Sequence, residues 1–199
     1  RLDLPFARAI DPTELAVIRR QIATGLNSPP TSSAGRLFDA VAALLGIRGV
    51  VNYEGQAAIE MESLAALEPG APPYPVAEMG LVPQVLPAAI DPAPLIRAMV
   101  SDMLAGAPPA VIAARFHASM ATLIAAVCGI IGRQEQLSDV FMSGGVIQNM
   151  LLLEQTVDLL ARSGLTVHTH HQVPANDGGL ALGQAVVAAT ILQRSKSDS

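Results

Sequence analysis

The segment from Asp139 to Asp177 constrains the fold more than any other part of this chain. Asp139-Val140-Phe141-Met142 is a short apolar run of strand type, and Ser143-Gly144-Gly145-Val146-Ile147-Gln148-Asn149 turns immediately after it. The spacing predicts an amphipathic helix over Met150–Arg162, a strand over Leu165–Val173, and a second turn at Pro174-Ala175-Asn176-Asp177-Gly178-Gly179. Two Gly-Gly turns at strand ends, each feeding a helix, are the sequence form of a phosphate- or nucleotide-facing edge. Gly144 and Gly145 lack a Cβ, so the backbone can take positive φ there and approach a ligand closely. The helix behind them is expected to present free N–H groups and the positive end of its dipole. Asn149 can donate and accept at the same mouth. Asp177 has two readings: the N-cap of a helix from Gly179 onward, or a carboxylate ligand for a hard cation.

Composition bounds what surrounds this segment. The 199 residues suffice for one large domain or two small ones. Hydrophobic residues make up 51% and charged residues 15%, which supports a sizeable core and argues against disorder. Aromatics are only 3% and Trp is absent, so that core must be mainly aliphatic. The net charge is −5 with no basic tract, which argues against nucleic-acid binding but leaves room for a single nucleotide. The lone Cys128 excludes an internal disulfide and a Cys-based zinc site, and reads as a buried helix residue. No apolar run reaches the roughly 18 residues of a membrane span, and no signal peptide is visible, so no membrane role is expected. The first residue is Arg1 and not Met, which suits a piece of something longer.

Along the rest of the chain the predicted elements are mostly helical. Asp11-Pro12-Thr13-Glu14 reads as a capped helix start, and the helix runs to Gly25. A second helix opens at Thr31–Asp39, turns Leu37, Phe38, Val41, Leu44 and Leu45 inward, and stops at Gly46. Asp39 points off that face and by pattern alone is a solvated carboxylate. A polar turn at Asn52–Gln56 precedes a helix to about Leu67, with Glu54 placed as a dipole partner. Val76–Leu86 shows weak alternation suited to one or two edge strands. Asp91-Pro92 starts another helix, and Val111–Gln134 is the longest, with Phe116, Met120, Leu123, Ile124, Val127 and Ile131 in one stripe. His117 on that helix reads as structural. His168 and His170 share one strand face and could chelate Zn or Ni, but without a third ligand they read as an exposed face. A last helix is expected over Gly179–Leu192.

Four runs together resemble one known family. Thr31-Ser32-Ser33-Ala34-Gly35-Arg36-Leu37-Phe38-Asp39 and its continuation to Gly46, Tyr53-Glu54-Gly55-Gln56-Ala57-Ala58, Ser143–Asn149, and Ala175-Asn176-Asp177-Gly178-Gly179 with its continuation to Ala185 occur in this order. The chain resembles the hydrogenase-maturation carbamoyltransferase family (HypF) over essentially its whole length. It is more distantly similar to tRNA threonylcarbamoyl transferases and antibiotic O-carbamoyltransferases. It departs from the family pattern at Ala175 (usually Pro), Ile147 (usually Phe) and Met150 (usually Arg), without loss of a polar ligand.

The resemblance implies an α/β fold, one lobe of an actin/hexokinase-like ATPase, helix-rich with a small mixed sheet. Residues 1–199 are then the C-terminal lobe of the carbamoyl-transfer domain. Within it, 1–70 and 88–135 are helical, 136–192 form the nucleotide- and metal-facing α/β part, and 193–199 are a disordered tail. The family takes carbamoyl phosphate and ATP, forms carbamoyl-adenylate, and passes the carbamoyl group to the C-terminal cysteine of a HypE carrier protein in the cytoplasm. By this resemblance Asp39 holds the ribose, Gly55 lies against the nucleoside, Gly144 and Gly145 approach the phosphates, Asn149 contacts the adenylate, and Asp177 ligates a divalent metal (Fe, Mg or Zn). No catalytic residue is assigned, and the attacking thiolate comes from the partner and not from Cys128. The family's metal-binding His-x-x-x-His pair belongs to the first lobe, so the chain is expected to need the remaining domains of its parent enzyme. Two other functions remain open: a related carbamoyl transferase with tRNA or a small-molecule hydroxyl as acceptor, and a non-catalytic nucleotide-binding module.

Overall fold

The chain is described by a computed structural model that covers residues 4, 8, 10–76 and 89–197. Helix α1 (Pro12–Thr24) starts where Asp11 accepts hydrogen bonds from the amides of Thr13 and Glu14, at 2.8 and 3.2 Å. It ends at Gly25 and buries no residue of its own. Helix α2 (Ala34–Leu44) is capped by Ser33 and turns Phe38, Val41 and Ala42 inward. Helix α3 (Gln56–Ala65) buries Ala57, Met61 and Ala65. Helix α4 (Ala93–Leu104) begins one residue after the expected Asp-Pro start, with Asp91 accepting from the Ala93 amide at 2.9 Å.

Helix α5 (Pro109–Glu135) is the axle of the fold, with α2, α3, α4 and helix α6 (Met150–Arg162) arranged against it or one another. The expected single stripe is too narrow for this position. Ile112, Ala113, Ala114, Phe116, His117, Ser119, Met120 and Ala121 are all buried, so the first half of α5 is enclosed nearly all round. Such a helix must be apolar on every face. That makes α5 long and apolar enough to cross a membrane by length and composition alone, against the expectation that no stretch is, and half of its most apolar window is buried inside the fold. The centre is aromatic despite the low aromatic content: Phe38 and Phe116 meet edge to face, with ring centroids 4.9 Å apart. Residues 72–74 are clamped onto this core. The Tyr74 hydroxyl donates to Asp102 at 2.7 Å, Arg115 pairs with the same carboxylate, and the Arg115 guanidinium lies 3.9 Å from the Tyr74 ring centroid.

The α/β part is a single β–α–β unit. Strand β1 (Asp139–Phe141) leads through α6 to strand β2 (Thr166–His168), and the two pair in parallel with Asp139 opposite Thr166 and Phe141 opposite His168. The small mixed sheet expected from the resemblance is thus a two-stranded parallel sheet among the described residues. The physical reason is the connection: a crossover helix returns the second strand in the direction of the first. The expected edge strands over Val76–Leu86 lie largely outside the described residues. Helix α6 packs against the sheet at β2, and Phe141 is exposed, stacked on His168 at 4.4 Å. Helix α7 (Leu180–Ser197) follows the second turn and runs past Leu192 through residues expected as a tail, because 193–197 contain no helix breaker. Leu180, Leu182, Val186, Val187, Ile191 and Leu192 on α7 are all exposed.

Candidate nucleotide-facing site

Both Gly-Gly turns sit at the carboxyl ends of the parallel strands, the end at which open α/β sheets receive ligands. The ladder extends one residue beyond β1, where the Met142 amide donates to the His168 carbonyl at 2.9 Å. The turns are then tied to each other: the Gly144 amide and the Ser143 hydroxyl both donate to the Ala175 carbonyl, at 2.7 and 3.3 Å. Gly144 has φ +104°, a conformation that L side chains rarely adopt. Gly145 opens a short 3-10 turn, Gly145–Gln148. A Cβ on Gly145 would meet nothing within 4 Å among the described residues, and its φ is not positive, so none of them requires glycine there. An open face of bare backbone suits the close approach of a ligand. The amides of Gly145 and Val146 precede the first hydrogen bond of the turn, from the Ile147 amide to the Gly144 carbonyl at 3.1 Å. These two amides have no partner among the described residues.

The first turn of α6 does not serve that purpose, contrary to expectation. The Leu151 amide donates to Glu62 at 3.0 Å, the Leu152 amide to Asn149 Oδ1 at 2.8 Å, and the Leu153 amide to the Asn149 carbonyl at 2.9 Å. Asn149 is only 8% exposed and acts as the N-cap of α6. Its Nδ2 lies 3.0 Å from Nε2 of His117, which is fully buried in the core. The His117 Nδ1 faces the Ala113 carbonyl at 2.8 Å, an acceptor, so Nδ1 carries the proton and Nε2 accepts from Asn149. Sequence reasoning left both His117 and Glu62 out of the site, since neither carries a signal that it reaches across to another helix.

Burial holds the His117 imidazole below its ordinary 6.5, against the opposing pull of the Ala113 hydrogen bond and the Glu62 charge. Protonation would also set an Nε2 donor against an Asn149 donor. The unfolded chain therefore binds a proton that the folded chain refuses as pH falls below about 6.5, and stability decreases in that direction. Thermal melting between pH 7.5 and 5.5 is expected to show this loss, and His117→Gln is expected to flatten it. An equal slope in the two proteins would refute the assignment.

The other expected residues are placed as follows. Asp39 is exposed on α2, one helical turn after Gly35, whose Cβ position lies 3.6 Å from Val146 of the 3-10 turn. Residues four apart share a helix face, so Asp39 continues the side of α2 that meets this turn. Gly55 has φ +79°, starts α3, and has open space in front of it. Its loop is held from behind: Arg48 Nε donates to Glu60 at 2.9 Å, Gln56 Nε2 donates to the same carboxylate at 3.0 Å, and the Asn52 amide donates to Gln56 at 2.8 Å.

Asp177 is the first residue of a short turn, Asp177–Gly179, and its carboxylate is exposed with no partner among the described residues. The N-cap role that was one reading of Asp177 is taken by Asn176, which accepts from the Gly178 amide at 3.0 Å. A Cβ on Gly179 would come within 2.7 Å of the Pro174 carbonyl oxygen, so the turn itself requires glycine there. The described residues hold no group of three or more His, Cys, Asp or Glu side chains able to bind a metal. His168 and His170 bond instead to Asp139 and Ser143, at 2.7 and 3.1 Å. Asp177 can therefore be one ligand of a metal shared with another part of a larger protein, and not the core of a complete site.

Residues 3–184 match the family described as the second subdomain of the Kae1-like carbamoyltransferase domain. The chain belongs to the HypF carbamoyltransferase family. Among HypF proteins it is 44% identical to carbamoyltransferase HypF of Rhodobacter capsulatus over 92% of its own length and 22% of the relative's. It is 36% identical to HypF2 of Cupriavidus necator over 86% of its length and 24% of that protein. A full-length HypF crystallised in its phosphate- and nucleotide-bound form superposes with a TM-score of 0.84 at 37% identity, over 94% of this chain and 24% of that one. HypF of T. kodakarensis gives 0.80 at 29% identity, again over 94% and 24%. The chain thus spans about a quarter of the length of these HypF relatives.

Proposed function

We propose that this chain is the nucleotide- and metal-facing half of a carbamoyl-transfer domain with an actin/hexokinase-like fold. The observation that carries the proposal is the joined pair of turns at the strand ends, with the bare backbone of Gly145 beside the Asp39 side of α2. Asp39 accepts from the ribose hydroxyls, the Gly55 loop borders the nucleoside, and the Gly145 and Val146 amides meet the phosphate. The parent enzyme takes carbamoyl phosphate, water and ATP, forms carbamoyl-adenylate with release of inorganic phosphate and pyrophosphate, and transfers the carbamoyl group in the cytoplasm to the C-terminal cysteine of a HypE-like carrier. The thiolate attacks the carbamoyl carbon, the bond from that carbon to the phosphate oxygen breaks, and AMP leaves. A divalent metal, when bound, supplies positive charge against the oxygen on which charge develops. Asp177 contributes one carboxylate to it, and the turn amides hold the leaving phosphate in place. Cys128 takes no part: it lies half-buried on α5, where burial raises its thiol pKa and favours the unreactive protonated form.

The exposed apolar residues of α7 and the uncovered Phe141 are the surfaces we assign to the remaining domains of the parent. Parallel strands are ordinarily buried on both faces, and here Phe141 is exposed. The first test is titration calorimetry of the parent enzyme with ATP and with a carbamoyl-adenylate analogue. Hydrogen bonds to a charged group contribute about 1.5–3 kcal/mol, so Asp39→Ala is expected to weaken binding by roughly 10- to 100-fold. Unchanged affinity in that variant would remove Asp39 from the site.

A further inference from the structure

A core position packed against Phe38 and Phe116 is one that an apolar side chain would fill at lower desolvation cost. It holds His117 instead, fully buried and with both ring nitrogens engaged. Nδ1–H is committed to the Ala113 carbonyl of its own helix. Phe38 and Phe116 meet the ring edge to face, at 5.3 and 6.0 Å between centroids, and so hold its plane. The Nε2 acceptor is thereby aimed at one group, Asn149 Nδ2, 32 residues further along the chain.

Asn149 passes this constraint on. Its Oδ1 caps α6 at Leu152, and its backbone amide closes the 3-10 turn on the Val146 carbonyl at 3.1 Å. Three consecutive hydrogen bonds therefore run from the Ala113 carbonyl in the core through His117 and Asn149 to the Val146 carbonyl of the 3-10 turn. Capping alone does not need the histidine, because Ser or Asp at position 149 would cap α6 about as well. What the imidazole adds is the orientation of the amide. With Oδ1 committed to Leu152 and one Nδ2 hydrogen to His117, the second Nδ2 hydrogen has no partner among the described residues.

We propose that His117 is a positioning residue for nucleotide binding: from the core it fixes the Asn149 amide and, through it, the Gly145–Gln148 turn. This rests on the reading of that turn as nucleotide-facing. The test uses the full-length parent enzyme, with ATP affinity measured by calorimetry and folding checked by circular dichroism at the same temperature. His117→Phe keeps a ring of similar size but offers Asn149 no acceptor. His117→Asn can still bond to Ala113 but falls short of Asn149. His117→Gln places an oxygen where Nε2 stands. The Phe and Asn variants are expected to bind ATP at least 10-fold more weakly, and the Gln variant within about 3-fold of the parent, a rescue that a merely space-filling role would not produce. The Asn variant decides the matter if the Phe variant does not fold. Gly145→Ala, whose added methyl meets nothing among the described residues, serves as the reference and is expected to weaken ATP binding as well. If Gly145→Ala weakens binding while all folded His117 variants bind like the parent, the positioning role is refuted and the site stands. If Gly145→Ala binds like the parent, the turn is not nucleotide-facing and the proposal falls with it.

Discussion

Phe116→Ala is expected to destabilise the fold by about 3–5 kcal/mol, the usual cost of emptying a fully buried phenylalanine site. Phe116 is inaccessible to solvent, as are its neighbours Ile112, Ala113 and His117 on the same helix. It also makes the edge-to-face contact with Phe38, an arrangement that contributes about 0.5–1.5 kcal/mol beyond area burial. In a chain with only four phenylalanines and no tryptophan, two of the four meet at this point. The void would be lined by Phe38, His117 and Met120 side chains held by their own helices, so collapse to fill it is limited. Globular domains are stable by about 5–15 kcal/mol, so one truncation would remove a large part of the total. Urea denaturation of the wild-type and variant chains checks this through the shift in midpoint at constant slope. A loss below about 1 kcal/mol would mean that the α2–α5 contact is not the centre of the core.

The second large effect is expected at Asp177, and it should appear in chemistry and not in stability. The carboxylate is exposed and has no partner among the described residues, and the turn is capped by Asn176 and shaped by Gly178 and Gly179. Asp177→Ala therefore leaves the fold intact, and its melting temperature should match that of the parent within the effect of an ordinary surface substitution, about 0.5 kcal/mol. If Asp177 ligates the metal as proposed, carbamoyl transfer by the full-length enzyme is expected to fall by about 100-fold or more, because such a ligand acts on a centre whose charge stabilisation is worth several kcal/mol. Metal content per molecule, measured by mass spectrometry on the same preparations, should fall in parallel. Full metal content with unchanged transfer would remove Asp177 from the site. Lost transfer with full metal content would mark it as acting on substrate and not as a ligand.

Much of this architecture can be read from local pattern. The helix Met150–Arg162 agrees with the structure at both ends, because Asn149 is a strong N-cap and Gly164 follows the last turn. Asp11, Asp91 and Gly25 mark helix ends for the same reason: capping is chemistry between residues two to four apart. Residue identity permits the positive φ expected at Gly144 and Gly145, but only Gly144 takes it. Other features depend on partners that are distant in sequence. Asp139–Phe141 and Thr166–His168 are short enough that their pairing direction is set by the helix between them. The enclosure of α5 arises only when α2, α3, α4 and α6 surround it. The inward turn of Asn149 toward His117, the capture of the Leu151 amide by Glu62 across 89 residues, and the bond joining Gly144 to Ala175 are invisible to any window of local sequence. Local spacing marks where a turn or a cap must be, since those interactions close within one or two turns of chain. Which amides around the Gly145–Gln148 turn and the start of α6 stay open is settled by long-range hydrogen bonds, and those exist only once the helices have packed.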